Sequence, residues 1–102
     1  YVTLTGFQRL ASLALQARLP LLADEPDDAG VPGCLAAVGW GSLQDGERAG
    51  DLAGQILRGA SPATLPIQPP GEPGFWLNRD TARRLGRPLP ASLLAQARAV
   101  LG

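Results

Sequence analysis

Cys34-Leu35-Ala36-Ala37-Val38-Gly39-Trp40 is an apolar run without a single charged side chain. A strand with one face in water alternates apolar and polar residues; this stretch does not, so it reads as a strand covered on both faces. Leu19 to Ala23 is a second run of the same kind. Between and beyond the two runs the apolar spacing changes to a helical period. Phe7, Leu10, Ala11, Ala14 and Ala17 form one stripe ahead of Pro20, and Leu52, Ala53, Ile56 and Leu57 form another after Trp40. Non-alternating strands separated by helices predict an α/β fold with short parallel strands and flanking helices. Antiparallel pairing would count against that expectation.

Working outward, Val2 to Leu4 reads as the end of a strand, followed by a helix from Gly6 to about Arg18 with Thr5 as its N-cap. An acidic loop, Asp24, Glu25, Asp27 and Asp28 around Pro26, follows the run ending at Ala23. The second helix should cover Leu43 to Leu57 and stop at Gly59 in the C′ role. Gly46, Gly50 and Gly54 recur every fourth residue within it, and each costs about 1 kcal/mol against Ala. Close approach of a neighbouring backbone would explain them. Residues 60–74 are rich in Pro and Gly and predict an extended connector. Phe75 to Leu77 reads as a strand, and Asn78 as the cap of a helix from Arg79 to Leu85 that Gly86 ends. A last helix should start near Pro90 and run through Leu101. Trp40 and Trp76 are expected in the core.

Composition narrows the function. Nine acidic residues balance nine basic ones, and the neutral total gives no electrostatic reason to expect nucleic acid or an anionic membrane as partner. Every basic residue is Arg, which points to a codon-usage bias. The chain has no His, so neither a Ser-His-Asp nor a Cys-His site can be assembled from it, and zinc ligation by Cys and His is excluded. The lone Cys34 has no partner for an internal disulfide. Neither of the glycine-rich phosphate-loop patterns, GxGxxG and GxxxxGK followed by Ser or Thr, occurs. The acidic loop lacks the ligand spacing of a calcium site and reads as a solvated turn. No catalytic residue, metal or cofactor is expected. No apolar run reaches the roughly eighteen residues that span a bilayer. Opening at Tyr1, without Met or a signal-peptide pattern, reads as an interior cut.

Five passages, in order, carry a resemblance. Ile56-Leu57-Arg58-Gly59-Ala60-Ser61-Pro62-Ala63-Thr64-Leu65-Pro66-Ile67 resembles a "KILKGxxPxxLPV" passage of the ABC-transporter substrate-binding family that includes tryptophan- and tyrosine-type binding proteins. Leu77-Asn78-Arg79-Asp80-Thr81-Ala82-Arg83-Arg84-Leu85-Gly86 is similar to its "INLKTAKALG", and Pro90 to Ala97 to its "PPSLLARA". Arg18 to Glu25 is similar to "RLPVFASDE", and Val38 through Gly50 to "VGxDYYxLGRxxG". Two departures stand out. Gly41-Ser42-Leu43 replaces Asp-Tyr-Tyr, and Glu47 replaces the Arg after Gly.

The resemblance implies a partial periplasmic-binding-protein-like (type I) fold, the C-terminal portion of a two-lobed protein closing over a ligand. Residues 1–42 would be strand–helix–strand units of the second lobe, 43–74 a helix and Pro-rich connector crossing to the first, and 75–102 the final strand and C-terminal helices. The expected function is the extracytoplasmic, periplasmic solute-binding component of an ABC importer, with a small organic, amino-acid-like ligand and a membrane permease as partners. Any membrane anchor would lie in the N-terminal portion. Ligands in open α/β sheets sit beyond the carboxyl ends of parallel strands. That rule selects Thr3 and Thr5 after the first strand, Asp24 and Glu25 after the second, and Gly41 and Ser42 after the third. The Thr hydroxyls suit a carboxylate or amide, Asp24 an ammonium, and Gly41-Ser42 a close backbone approach. Each also has an ordinary role as cap or turn residue. A ligand-sensing domain of a receptor or two-component system on the same fold is the alternative, and a small stand-alone α/β interaction module is the third. Isolated as a fragment, the chain is expected to oligomerise, swap elements or expose a large apolar patch.

Overall fold

Residues 3–102 are described by the computed structural model, and they begin with a helix rather than a strand. The Gly6 N–H donates to the Thr3 hydroxyl at 3.2 Å, so Thr3 is the N-cap and helix α1 runs Leu4–Gln16. The expected cap at Thr5 is therefore two residues late. Of the expected strand end at Val2 to Leu4, Leu4 is helical and Val2 lies outside the described residues. Strand β1 (Leu21–Ala23) follows, then a 3-10 turn at Pro26–Gly30, strand β2 (Cys34–Gly39) and helix α2 (Ser42–Leu57). Strand β3 (Gly74–Asn78), helix α3 (Arg79–Arg84), helix α4 (Ala91–Gln96) and strand β4 (Ala99–Leu101) complete the order.

The result is a mixed α/β fold on one four-stranded sheet of order β1-β2-β3-β4. β1 pairs with β2 in parallel, and β3 with β4 in parallel. The middle pair, β2 with β3, is antiparallel, with Gly39 opposite Gly74. The expectation of parallel strands thus holds at two of the three seams. The connection explains the third. α2 carries the chain away from the end of β2 by about 24 Å, at about 1.5 Å per residue over its 16 residues. The Pro-rich connector then returns along the helix. Arg48 donates to the Pro69 carbonyl at 2.8 Å, and the Trp40 indole N–H donates to the Gly71 carbonyl. The chain re-enters the sheet where it left and must run the other way.

Small side chains fill the interior. Ala11, Val31 and Cys34 form the central cluster, with Phe7, Leu21 and Ala23 packed against it. The largest fully buried side chains are Thr81 and Cys34. Leu43, Leu57 and Ile67 are instead 76%, 88% and 98% exposed, and α2 buries no residue at all. The radius of gyration is 17.6 Å, against about 13 Å for a compact chain of this length. α2 with its returning connector projects from the sheet. At Gly46 and Gly50 a Cβ would meet nothing within 4 Å, and at Gly54 only the helix's own Arg58, so the close backbone approach expected of these glycines is not made within the chain.

The carboxyl end also differs from expectation. The last helix stops at Gln96, and Ala99–Leu101 is a strand held against Trp76, Leu77 and Asn78. Its entry is fixed by the Arg98 N–H donating to the Phe75 carbonyl at 2.8 Å. Pairing with a neighbouring strand outweighs a helical spacing that three residues cannot distinguish.

Candidate ligand-binding edge

Because β1 and β2 are parallel, their carboxyl ends share one edge of the sheet. Gly39, the last residue of β2, lies directly against the Asp24 carbonyl that follows β1, and a Cβ there would collide with that oxygen. The loops after the two strands are thereby held together. β3 and β4 run the other way, so Gly74 and Arg98 bring the entrances of those strands to the same edge. α1 runs back beside β1. Ala11 sits against the Gly33 turn that opens β2, Phe7 packs on the same cluster, and Thr3 and Thr5 lie at the head of the helix.

Thr3, Thr5, Asp24, Glu25 and Ser42 are exposed and Gly41 is half-buried. Their local roles differ. The Thr3 hydroxyl caps α1, so one lone pair is already engaged. Glu25 heads the 3-10 turn and Gly41 heads α2, neither through a side-chain bond. With Gly at the cap, the first turn of α2 keeps backbone N–H groups open toward this edge, and Ser42 offers a hydroxyl beside them. Asp28, in the turn behind Asp24, has its carboxyl held above the usual range, by burial first and by the Asp24 and Asp27 carboxylates next. The edge is electronegative on the β1 side.

Two further residues lie at this edge. Trp40, for which the sequence predicts a place in the core, is 47% exposed, immediately beyond the carboxyl end of β2, its indole tethered to the connector through the Gly71 carbonyl. Its place directly after a buried strand was the available signal. Arg98, within a stretch whose spacing predicts a helix, instead crosses Gly74 and donates to the Glu72 carbonyl at 3.1 Å. Trp76, in β3, is half-buried. Cys34 takes no part. It is fully buried at the start of β2, and burial pushes its thiol up to about 11. Among the described residues no helix is long and apolar enough to cross a membrane.

The strand–helix units, the shared carboxyl edge and the sheet order define a periplasmic-binding-protein-like α/β scaffold. Within that class the chain belongs to the ABC transporter substrate binding protein family, whose model matches residues 1–101. Three of the solved structures it resembles show the extent of the likeness. One is the ABC domain in complex with L-Trp from Streptococcus pneumonia, at 28% identity and a TM-score of 0.82 over 95% of this chain and 32% of that one. A conserved domain protein from Vibrio cholerae is 25% identical, with a TM-score of 0.78 over 94% of this chain and 32% of its own. A ligand-free, open substrate binding protein with adhesive properties from Clostridium difficile shares the fold, at 23% identity and a TM-score of 0.70 over 95% of this chain and 32% of its own. The chain therefore spans about a third of the length of these relatives. No curated protein matches.

Proposed function

We propose that this chain supplies one side of the ligand cleft of a solute-binding protein that serves an ABC importer outside the cytoplasm, and that it carries out no catalysis. The observation that carries the reading is the shared carboxyl edge of β1 and β2. That edge carries exposed Asp24, Glu25 and Ser42, the first turn of α2 at Gly41 and a half-exposed Trp40, and we take Thr3 and Thr5, at the head of α1, to face it. Its chemistry suits a small organic solute with an amine for the carboxylates, hydrogen-bonding groups for the hydroxyls and backbone, and a flat or apolar part for the indole. The L-Trp complex of the Streptococcus pneumonia relative supports an amino-acid-like ligand. With Gly41-Ser42-Leu43 in place of Asp-Tyr-Tyr, Trp40 is the aromatic group this edge offers instead.

On this reading residues 1–42 and 75–102 belong to one lobe. Residues 43–74 cross to the other, which would cover the apolar face of α2. The exposure of Leu43, Leu57 and Ile67 supports that division. A membrane permease is the partner of the closed, loaded form.

The test is a thermal-shift screen of the complete protein against L-Trp, L-Tyr, L-Leu, L-Glu and succinate. A ligand at 100 times its Kd adds about 2.7 kcal/mol, which is several degrees in Tm. The variants Trp40→Ala and Asp24→Asn should reduce the shift from the best ligand while leaving the unliganded Tm within a degree or two. Shifts equal in wild type and in both variants would remove this edge from the binding site.

A further inference from the structure

The antiparallel seam in the middle of the sheet has a second consequence. If ligands favour the carboxyl ends of parallel strands, a sheet built of two oppositely directed parallel pairs has two such edges. The second lies beyond β3 and β4, where Asn78 pairs with Leu101. α3 starts there, and a cavity of about 490 Å³ opens between α3 and the start of α4. That volume lies within the usual range for small-molecule sites.

Arg79, Arg83 and Arg87, spaced four residues apart, contribute to its walls, and Ala82, Leu89 and Leu94 supply apolar lining. The nearby acid, Asp80, is paired with Arg84 at 3.0 Å and is thus already neutralised. Arg83 donates to the Gly102 carbonyl at 3.1 Å, which anchors it at the strand ends, while Arg79 and Arg87 have no ion pair among the described residues. From residue 79 to 96 the sequence holds four arginines and one acid. Arginine side chains that border an apolar floor suit one kind of guest. Their planar donors take two oxygens of a carboxylate or phosphate, and the floor takes a hydrocarbon body.

We infer that this groove, on the edge of the sheet away from Trp40 and Gly41, binds an amphipathic anion: a carboxylate or phosphate head on a short apolar chain. The site stands apart from the proposed cleft and does not depend on it. The same chemistry could arrive as a free fatty acid or as the head of an anionic lipid.

Calorimetric titration of the full chain with decanoate and decanol at low salt tests the inference, since exposed charge pairs are screened at higher ionic strength. Decanoate should bind saturably, one to one. Decanol should bind at least tenfold more weakly. Arg79→Gln combined with Arg87→Gln should weaken decanoate at least tenfold, and Arg58→Gln, at the end of α2, should leave it unchanged. Circular dichroism of the double variant confirms that it is folded. Flotation with phosphatidylglycerol and phosphatidylcholine vesicles separates the two sources. Arginine-dependent flotation with phosphatidylglycerol alone would make the occupant a lipid head. Failure of both decanoate and phosphatidylglycerol to bind, or binding indifferent to the anionic head or to the two arginines, would overturn the inference.

Discussion

Asn78→Ala should destabilise the fold by about 1.5–5 kcal/mol. Asn78 is 6% exposed and makes two side-chain hydrogen bonds, one local and one that joins distant parts of the chain. Its side-chain oxygen accepts from the Thr81 N–H at 2.9 Å and caps α3, and its amide donates to the Ala29 carbonyl at 2.8 Å across 49 residues. Loss of an N-cap costs about 0.5–2 kcal/mol. Leaving a buried carbonyl unpaired costs about 1–3 kcal/mol more. Against a total stability of about 5–15 kcal/mol for a domain of this size, that is a large share. Urea unfolding, followed in parallel by far-ultraviolet circular dichroism and tryptophan fluorescence, should show a lower midpoint with an unchanged slope. Asn78→Ser keeps a capping acceptor but cannot reach Ala29, so it should lie about midway between the two. An alanine variant within about 0.5 kcal/mol of wild type would refute the claim that this residue ties α3 to the 3-10 turn.

Three further outcomes are expected. Gly33 has φ +101°, and its Cβ would strike the Ala11 carbonyl, so Gly33→Ala should cost about 3 kcal/mol or more in the same unfolding assay. Cys34 should react with iodoacetamide at neutral pH only when the chain opens, because its thiol is buried and raised to about 11; labelling should accelerate with urea in step with unfolding. The Asp28 carboxyl is raised in the folded state, so the protonated form is favoured by folding and the ionised form is unfavourable at neutral pH. Asp28→Asn should therefore raise Tm at pH 7, and the gain should shrink as pH falls through the carboxylate range; a gain constant between pH 7 and pH 3 would contradict the assignment.

The elements that could be read directly from the sequence are those with a local cause. Gly59 and Gly86 end helices with φ +106° and +66°, and Asn78 caps α3 because its short amide reaches back to the backbone. The apolar run from Cys34 is a strand with neighbours on both sides. The elements that differ have causes far away in the chain. Ala99–Leu101 is a strand because β3 lies beside it, and β3 is antiparallel to β2 because a connector of fixed length turns the chain around. Thr3 and Thr5 competed for one cap, and only the three-residue reach to Gly6 decides it. The candidate edge follows the same division. Asp24 and Gly41 follow from strand ends, whereas Trp40 and Arg98 depend on how the connector returns.

Net charge shows the same limit from another side. Nine acids and nine bases cancel, and the sequence alone therefore offered no electrostatic reason for an anionic partner. The sheet separates what the total conceals. Asp24 and Glu25 directly follow the carboxyl end of β1, while Arg79, Arg83, Arg84 and Arg87 follow that of β3; the 3-10 turn with Asp27 and Asp28 runs between the two edges to the Ala29 carbonyl that Asn78 holds. Screening lengths near 8 Å at physiological salt are shorter than the strands between them, so each edge acts on a ligand as its own field. A neutral chain with antiparallel halves can thus present one acidic and one basic mouth. Reversing the middle strand pair, which cost the parallel expectation, is what places the arginines on an edge of their own.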